Sequence, residues 1–279
     1  MISAAALLDG GPFEKWYIDN GPWPEKLVFQ LVGSDAEQIS KAATLLDGLE
    51  CAGIDLNMGC CAPLIRKAGG GIAWMASADQ AGELVRQVRQ VTKKRLSVKL
   101  RVGFSDDFDY LVGFCRRLES EGAEMITLHP RTAKEKFKRL ARWGYVGDLR
   151  KELGIPVAGN GDVGSAGDLL RRASGPCDAV MVGRAAVREP WIFARARSGD
   201  TEGRATGTLV EETGLRFLEL LARWQPPEFH ISRARRFFGF FCDNLKWGTY
   251  LKNLLNRENT LSGMEKAWRE YFTEGRELV

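Results

Sequence analysis

Residues 53–60 read Gly-Ile-Asp-Leu-Asn-Met-Gly-Cys. An apolar run with Ile54 and Leu56 ends in Asn57, and a glycine then exposes Cys60. A buried parallel strand presents reactive groups at its C-terminal tip in this way. The stretch from Cys61 to Met75 adds Arg66, Lys67 and the glycine run Gly69, Gly70 and Gly71. A thiol, a carboxamide, cations and a flexible loop thus converge at one strand end. The combination suits redox or addition chemistry on an anionic, polar substrate.

Outward from this strand the pattern repeats. Apolar, β-branched-rich runs occupy 27–32, 96–101, 124–129, 156–160 and 178–183. Between them, 35–49, 77–93, 107–121 and 165–174 carry apolar residues at helical spacing, with Asp35 and Ser77 suited to cap the first two. Strands alternating with helices of this length give a parallel sheet covered by helices. The runs end in polar residues or glycine: Gly33, Asn57, Arg101, His129, Asn160 and Gly183. An open doubly wound sheet gathers its site at one crevice, whereas a barrel gathers every strand tip around one mouth. Functional residues on every tip therefore predict an α/β fold, a (β/α)8 TIM barrel.

Six runs fall short of eight, and residues 1–11 supply at most the end of one more. The barrel is expected to be N-terminally incomplete. The native reading frame is expected to continue upstream of Met1 by about one strand–helix unit and the start of the next strand. The chain as given is then expected to bind its cofactor poorly and to be less stable than the extended form. After the sixth run come Pro190, Trp191 and a polar linker at 198–208. From 209 to 279 only helical periodicity remains, with Leu215, Leu218 and Leu221 on one face, Leu251, Leu254 and Leu255 on another, and a break at Pro226-Pro227. The expected organisation is a barrel domain over 1–200 and a small all-helical domain over 209–279.

Composition narrows the classes. At 279 residues the chain can bury a substantial core. Six cysteines at irregular spacing form no disulfide framework and fit reduced thiols in a cytoplasm. No Cys-x-x-Cys pair and only two histidines argue against a metal site. No run of about 18 apolar residues predicts a membrane span. No cationic segment precedes the short apolar run at the N-terminus, so it does not read as a secretory signal.

Along residues 1–195 stand, in order, Val28-Phe29-Gln30-Leu31 with Gly33-Ser34-Asp35, Asp55-Leu56-Asn57-Met58-Gly59-Cys60, the Gly69–Met75 loop, Val98-Lys99-Leu100-Arg101, His129-Pro130-Arg131-Thr132, Gly159-Asn160-Gly161-Asp162 and Val182-Gly183-Arg184. In register, these motifs resemble the tRNA-dihydrouridine synthase family, flavoproteins that reduce uridine in tRNA. Two departures stand out. Cys61 occupies the place of the family's usual proline, and the family's opening Ala-Pro-Met strand has no counterpart.

Reducing the C5–C6 bond of a uracil requires a hydride at one carbon and a proton at the other. By resemblance the flavin is FMN and NADPH reduces it. Cys60 is the candidate acid, because a free thiol titrates near about 8.5 and is mostly protonated at neutral pH. Cys61 reads as a neutral replacement for proline. Lys99 sits mid-strand in an apolar run; the resemblance implies that it faces the flavin ring. Gln30 resembles the residue that bonds the ring edge. Asn57 is placed to bond substrate or flavin carbonyls, and Arg131 to bond substrate. His129 is implied to contact the ribityl or phosphate side. Asn160-Gly161-Asp162 and Gly183-Arg184 follow the last two strands, where such barrels commonly bind phosphate. No Gly-x-Gly-x-x-Gly follows the first strand, so FAD or tightly bound NAD is not indicated.

Two basic segments point to tRNA as partner. Residues 131–151 hold eight Lys or Arg against Glu135 and Asp148. Residues 231–257 hold Arg233, Arg235, Arg236, Lys246, Lys252 and Arg257 against Asp243, interleaved with Phe237, Phe238, Phe240, Phe241, Trp247 and Tyr250. Cations hold phosphates and an exposed aromatic stacks on a base, although aromatics at helical spacing are mostly core. The expected protein is a cytoplasmic, monomeric FMN-dependent tRNA-dihydrouridine synthase. Two rivals are an FMN barrel acting on a small molecule of the dihydroorotate or dihydropyrimidine type, and a non-catalytic RNA-binding relative.

Overall fold

The computed structural model describes residues 1–135, 138–201, 203 and 205–273. Lys136 of the first basic segment and the last six residues of the helical tail lie outside them. Among the described residues, seven strands form one parallel sheet: β1 (Ile2–Ser3), β2 (Val28–Val32), β3 (Gly53–Met58), β4 (Arg95–Gly103), β5 (Met125–Thr132), β6 (Val157–Asn160) and β7 (Ala179–Met181). Each strand pairs with its sequence neighbours, in the order β1 to β7. A doubly wound sheet would reverse its order at a switch point; strictly consecutive pairing is barrel order. The expected stub before residue 27 is β1, which pairs Ile2 with Leu31 and Ser3 with Val32. Among the described residues no ladder joins β1 to β7.

Fourteen helices follow in chain order among the described residues: α1 (Ala4–Asp9), α2 (Glu14–Tyr17), α3 (Ala36–Asp47), α4 (Pro63–Lys67), α5 (Ala78–Val91), α6 (Phe108–Ser120), α7 (Gly144–Glu152), α8 (Ala166–Ala173), α9 (Arg184–Arg188), α10 (Ile192–Ser198), α11 (Gly207–Trp224), α12 (Pro227–Phe241), α13 (Gly248–Arg257) and α14 (Leu261–Thr273). Local chemistry starts the long ones. Asp35, Ser77 and Asp107 accept from the backbone N–H groups of Gln38, Gln80 and Tyr110, satisfying donors that a helix start leaves over. The faces Ile39, Ala42, Ala43, Leu46 and Ala81, Leu84, Val85, Val88 are buried, at the spacing of a single helical stripe.

The strands are longer or shorter than their apolar runs. β5 continues beyond His129 to Thr132. Arg101 pairs with His129 but Gly103 pairs with Thr132, so β5 carries one extra residue there. Pro130, which has no N–H for a ladder, sits in this bulge. β7 is only three residues, short of the expected 178–183.

By compactness the chain forms two units, Met1–Asp162 with Arg171–Met181 and Val163–Leu170 with Val182–Val279. In the first, Ile54, Leu56, Leu96, Val98, Leu100, Ile126 and Leu128 share a core with α3, α5 and α6 residues. In the second, Leu218, Leu221, Phe238, Phe241, Leu251, Leu255, Met264 and Trp268 form a separate core. Leu215 and Leu254 pack at its margin. Gln225 ends α11, and Pro227 begins α12, where its missing N–H costs nothing.

Candidate active site

Side chains alternate across a strand, so the residues between the core positions share the other face. That face is polar. Gln30, Asp55 and Ser97 are register partners in one row; Asn57, Lys99 and Thr127 form the next, and Arg101 and His129 the one beyond. Asp55, Ser97, Arg101, Thr127, His129 and Arg131 are all buried.

A chain of hydrogen bonds crosses it. The backbone N–H groups of Gly59 and Cys60 donate to Asn57 Oδ1 at 3.2 and 2.9 Å. Asn57 Nδ2 donates to Gln30 Oε1 at 2.9 Å and to Met1 Sδ at 3.3 Å. Gln30 Nε2 donates to Asp55 Oδ2 at 2.6 Å, and Ser97 Oγ donates to Asp55 Oδ1 at 2.6 Å. Burial pushes the Asp55 carboxyl up, opposed by the bonds from Ser97 and Gln30 and by the Lys99 charge. Burial likewise pulls the Lys99 ammonium down, against the attraction of Asp55 and with the repulsion of Arg101.

Cys60 stands half-buried at the tip of β3. Its carbonyl accepts from the Ile72 N–H at 3.0 Å. Gly71, at φ +58°, comes so close that a Cβ there would lie 2.6 Å from that carbonyl. The glycine run is therefore not a flexible loop but a tight wrap that only glycine permits. Arg101 donates from Nε to Gly59 O and from Nη1 to Thr132 O, both at 3.2 Å, tying the β3 tip to that of β5.

His129 is held neutral. Burial, with the charges of Arg101, Lys99 and Arg131, pushes its imidazole down to about 3. Arg131 Nη1 lies 3.0 Å from His129 Nε2. A guanidinium only donates, so Nε2 accepts and the ring proton sits on Nδ1. Gly161, at φ +122°, leaves room for this ring: a Cβ there would lie 2.9 Å from His129 Cδ2.

The family model for dihydrouridine synthase (Dus) matches residues 1–277. The chain belongs to this family. It is 32% identical over 277 residues to a probable tRNA-dihydrouridine synthase of Mycobacterium leprae, covering 95% of this chain and 72% of that one. It is 33% identical over 174 residues to a tRNA-dihydrouridine(16) synthase of Ralstonia nicotianae, covering 61% of this chain and 53% of that one. With tRNA-dihydrouridine synthase B of Xanthomonas axonopodis pv. citri the identity is 26% over 262 residues, covering 91% and 78%. The chain thus spans from about half to three quarters of the length of these relatives.

The expected site residues fall in different places. Cys60, Asn57, Gln30, Lys99 and His129 lie on the polar face or at its tips. Arg131 and Asp162 are engaged with each other. The Arg131 guanidinium, with only 3% of its side chain exposed, donates from Nη2 to both Asp162 oxygens at 2.6 and 2.7 Å and from Nε to Arg139 O at 2.5 Å. Ala141 N–H donates to the same carboxylate at 2.6 Å. The pair therefore clamps the segment after β5. Asn160 Nδ2 donates to Met181 O at 2.9 Å, bridging β6 to β7. Gly183 and Arg184 belong to the second unit, where they open α9, a helix of five residues with little dipole to offer an anion.

The cations sort in a way the sequence does not display. In the first segment, Arg142 pairs with Glu135 and Asp106, Arg150 with Asp178, and Lys151 with Asp148. Lys134, Lys138 and Arg139 have no ion pair among the described residues. They line an open groove of about 450 Å³ with Phe104, which is 39% exposed. In the second unit, Arg235 donates to Glu258 O and Asn259 Oδ1, Lys252 pairs with Asp243, and Arg233 lies over the Phe229 ring. Arg236 is exposed. Phe238 and Phe241 are core, whereas Trp247 and Tyr250 are 56% and 45% exposed. Sequence reasoning missed Asp55 and Ser97 as parts of the site, and it read Arg101 as a strand tip without a role. The signal for Asp55 was a carboxylate inside an otherwise apolar strand.

Among the described residues no helix is long and apolar enough to cross a membrane.

Proposed function

We propose that this chain is a tRNA-dihydrouridine synthase that reduces the C5–C6 bond of uridine with bound FMN, NADPH being the reductant. The observation that carries this reading is a half-exposed thiol, Cys60, fixed at the edge of a buried polar face rich in donors. That donor set fits a flavin. Gln30 and Lys99 can donate to ring heteroatoms, Lys99 can offset the negative charge of a reduced ring, and the backbone at Asn160-Gly161 can approach a phosphate. FMN, when bound, would supply the hydride.

The chain's own residues supply the proton and the fit. Cys60 Sγ–H gives its proton to the uracil carbon opposite the one reduced by hydride. His129 is no rival donor at neutral pH, because its surroundings keep it unprotonated. Asn57 holds the Cys60 amide and so aims the residue. Lys134, Lys138, Arg139 and Arg236 hold RNA phosphates, Phe104, Trp247 and Tyr250 offer stacking surfaces, and the target base leaves its stack to react. The test is direct. Incubate the purified chain with FMN, NADPH and tRNA from cells lacking dihydrouridine, then digest the tRNA and weigh its nucleosides. Dihydrouridine formation is expected; its absence with flavin bound would sink the reading.

A further inference from the structure

We propose that Asp55 is a positioning residue for Cys60, acting as the acceptor at which a one-way relay of hydrogen bonds ends. The inference rests on the proposed proton-donor role of Cys60, but its geometry does not. The relay has two ends of fixed polarity. At one, the Gly59 and Cys60 amides can only donate, so Asn57 must turn its Oδ1 to them. At the other, the buried Asp55 carboxylate accepts, so Gln30 must turn its Nε2 to it. Between these ends, Asn57 Nδ2 meets Gln30 Oε1, the one pairing that both constraints allow. Neither carboxamide can flip without setting donor against donor or acceptor against acceptor.

The relay spans three strands. Asp55 and Asn57 lie on β3, Gln30 on β2, and Ser97 on β4 closes the second carboxylate oxygen. Remove the acceptor at residue 55 and Gln30 loses the group that orients it. Its amide can then rotate, Asn57 loses its fixed partner, and the Gly59 and Cys60 N–H groups are held less firmly. What matters at residue 55 is an acceptor. Asparagine can still present Oδ1 to Gln30 while its Nδ2 donates to Ser97 Oγ, because a hydroxyl works in either direction. Leucine, of similar size, cannot accept.

Amide hydrogen exchange over residues 57–62 tests this, comparing wild type with Asp55→Asn, Asp55→Leu and Gln30→Met. Exchange reads local opening of the bonded N–H groups. Asp55→Asn is expected to stay within about twofold of wild type, while Asp55→Leu and Gln30→Met exchange about tenfold faster at 59–60, with the β3–β4 ladder at 96–100 still protected. Gln30→Met breaks the middle link with Asp55 intact, so it decides the matter even where Asp55→Leu folds poorly. Unchanged exchange in Gln30→Met would overturn the relay. Loss of protection in Asp55→Asn equal to that in Asp55→Leu would show that charge, not an acceptor, is required, and would overturn it too. In the flavin-loaded enzyme, Asp55→Leu is expected to lower kcat with the KM for tRNA unchanged, while Asp55→Asn retains activity. The exchange arm needs neither flavin nor tRNA. A wild type that makes no dihydrouridine but shows the expected exchange would therefore retire the functional reading alone.

Discussion

The two units bury opposite chemistry. On one face of the sheet, Asp55, Ser97, Arg101, Thr127, His129 and Arg131 are out of solvent, and all but Thr127 hold a polar partner. The core of the helical unit is made of rings and aliphatics: Phe238 and Trp268 lie 4.9 Å apart, Phe217 stacks on Phe237 at 3.7 Å, and leucines from α11 and α13 fill around them. Burying charge is costly unless it is paired, whereas burying rings is favourable at once. A molecule retains the costly arrangement where it needs fixed dipoles, as an active site does. On the function proposed above, chemistry belongs to the sheet unit, and the surface of the helical unit is free to serve recognition.

The sharpest test of that division is Cys60→Ala. It is expected to cost about 10²–10⁴ in turnover, the usual worth of a general acid, while bound flavin and melting temperature stay as in wild type. Cys61→Ala should remain active. An active Cys60→Ala with an inactive Cys61→Ala would move the chemistry to the neighbouring thiol. The reverse profile is expected in the helical core. Trp268→Ala should cost about 3–5 kcal/mol of stability, read by denaturant unfolding, because it leaves a large cavity among Phe238, Phe241 and Phe272.

Acid should separate the units further. The folded protein keeps His129 neutral down to about 3, whereas its ordinary value is 6.5. Between these values the unfolded chain binds the extra proton. Stability therefore falls as pH drops through this window, by about 1.4 kcal/mol per pH unit for a full proton. The measurement is urea unfolding against pH, and His129→Asn should show a shallower dependence. Equal slopes would mean that the imidazole is not held neutral.

The smallest expected effect concerns recognition. Replacing Lys134, Lys138 and Arg139 by glutamine should lower the slope of log tRNA affinity against log salt by about 2, with flavin content unchanged. Arg236→Gln should act in the same direction but less. Arg235→Gln should instead lower stability, since its guanidinium joins α12 to the turn before α14. An unchanged slope in the triple variant would leave RNA contact to the helical unit.

What was legible in the sequence depended on distance along the chain. Asp35 and Ser77 announce helix starts because their partners are three residues away. The strands announce themselves through runs of β-branched and apolar residues. The partners of Asp55 were opaque, because Gln30 and Ser97 lie 25 and 42 residues off and meet it only once the register is set. The cations of 131–151 look alike in the sequence. Arg131 became buried because β5 runs through it, and the Pro130 bulge that allows this depends on the partner strand. The glycine run misled for the same reason: the close approach of Gly71 to the Cys60 carbonyl is a fact of packing.

The consecutive strand order also bears on how the chain is made. Every ladder joins a strand to the one synthesised just before it, with only helices and their loops between. Loop closure is correspondingly short-range, and each new strand meets a template that already exists. Folding can thus advance in step with the ribosome from β1 to β7, with α11 to α14 emerging last. No strand among those described must stay unpaired until the far end of the chain appears.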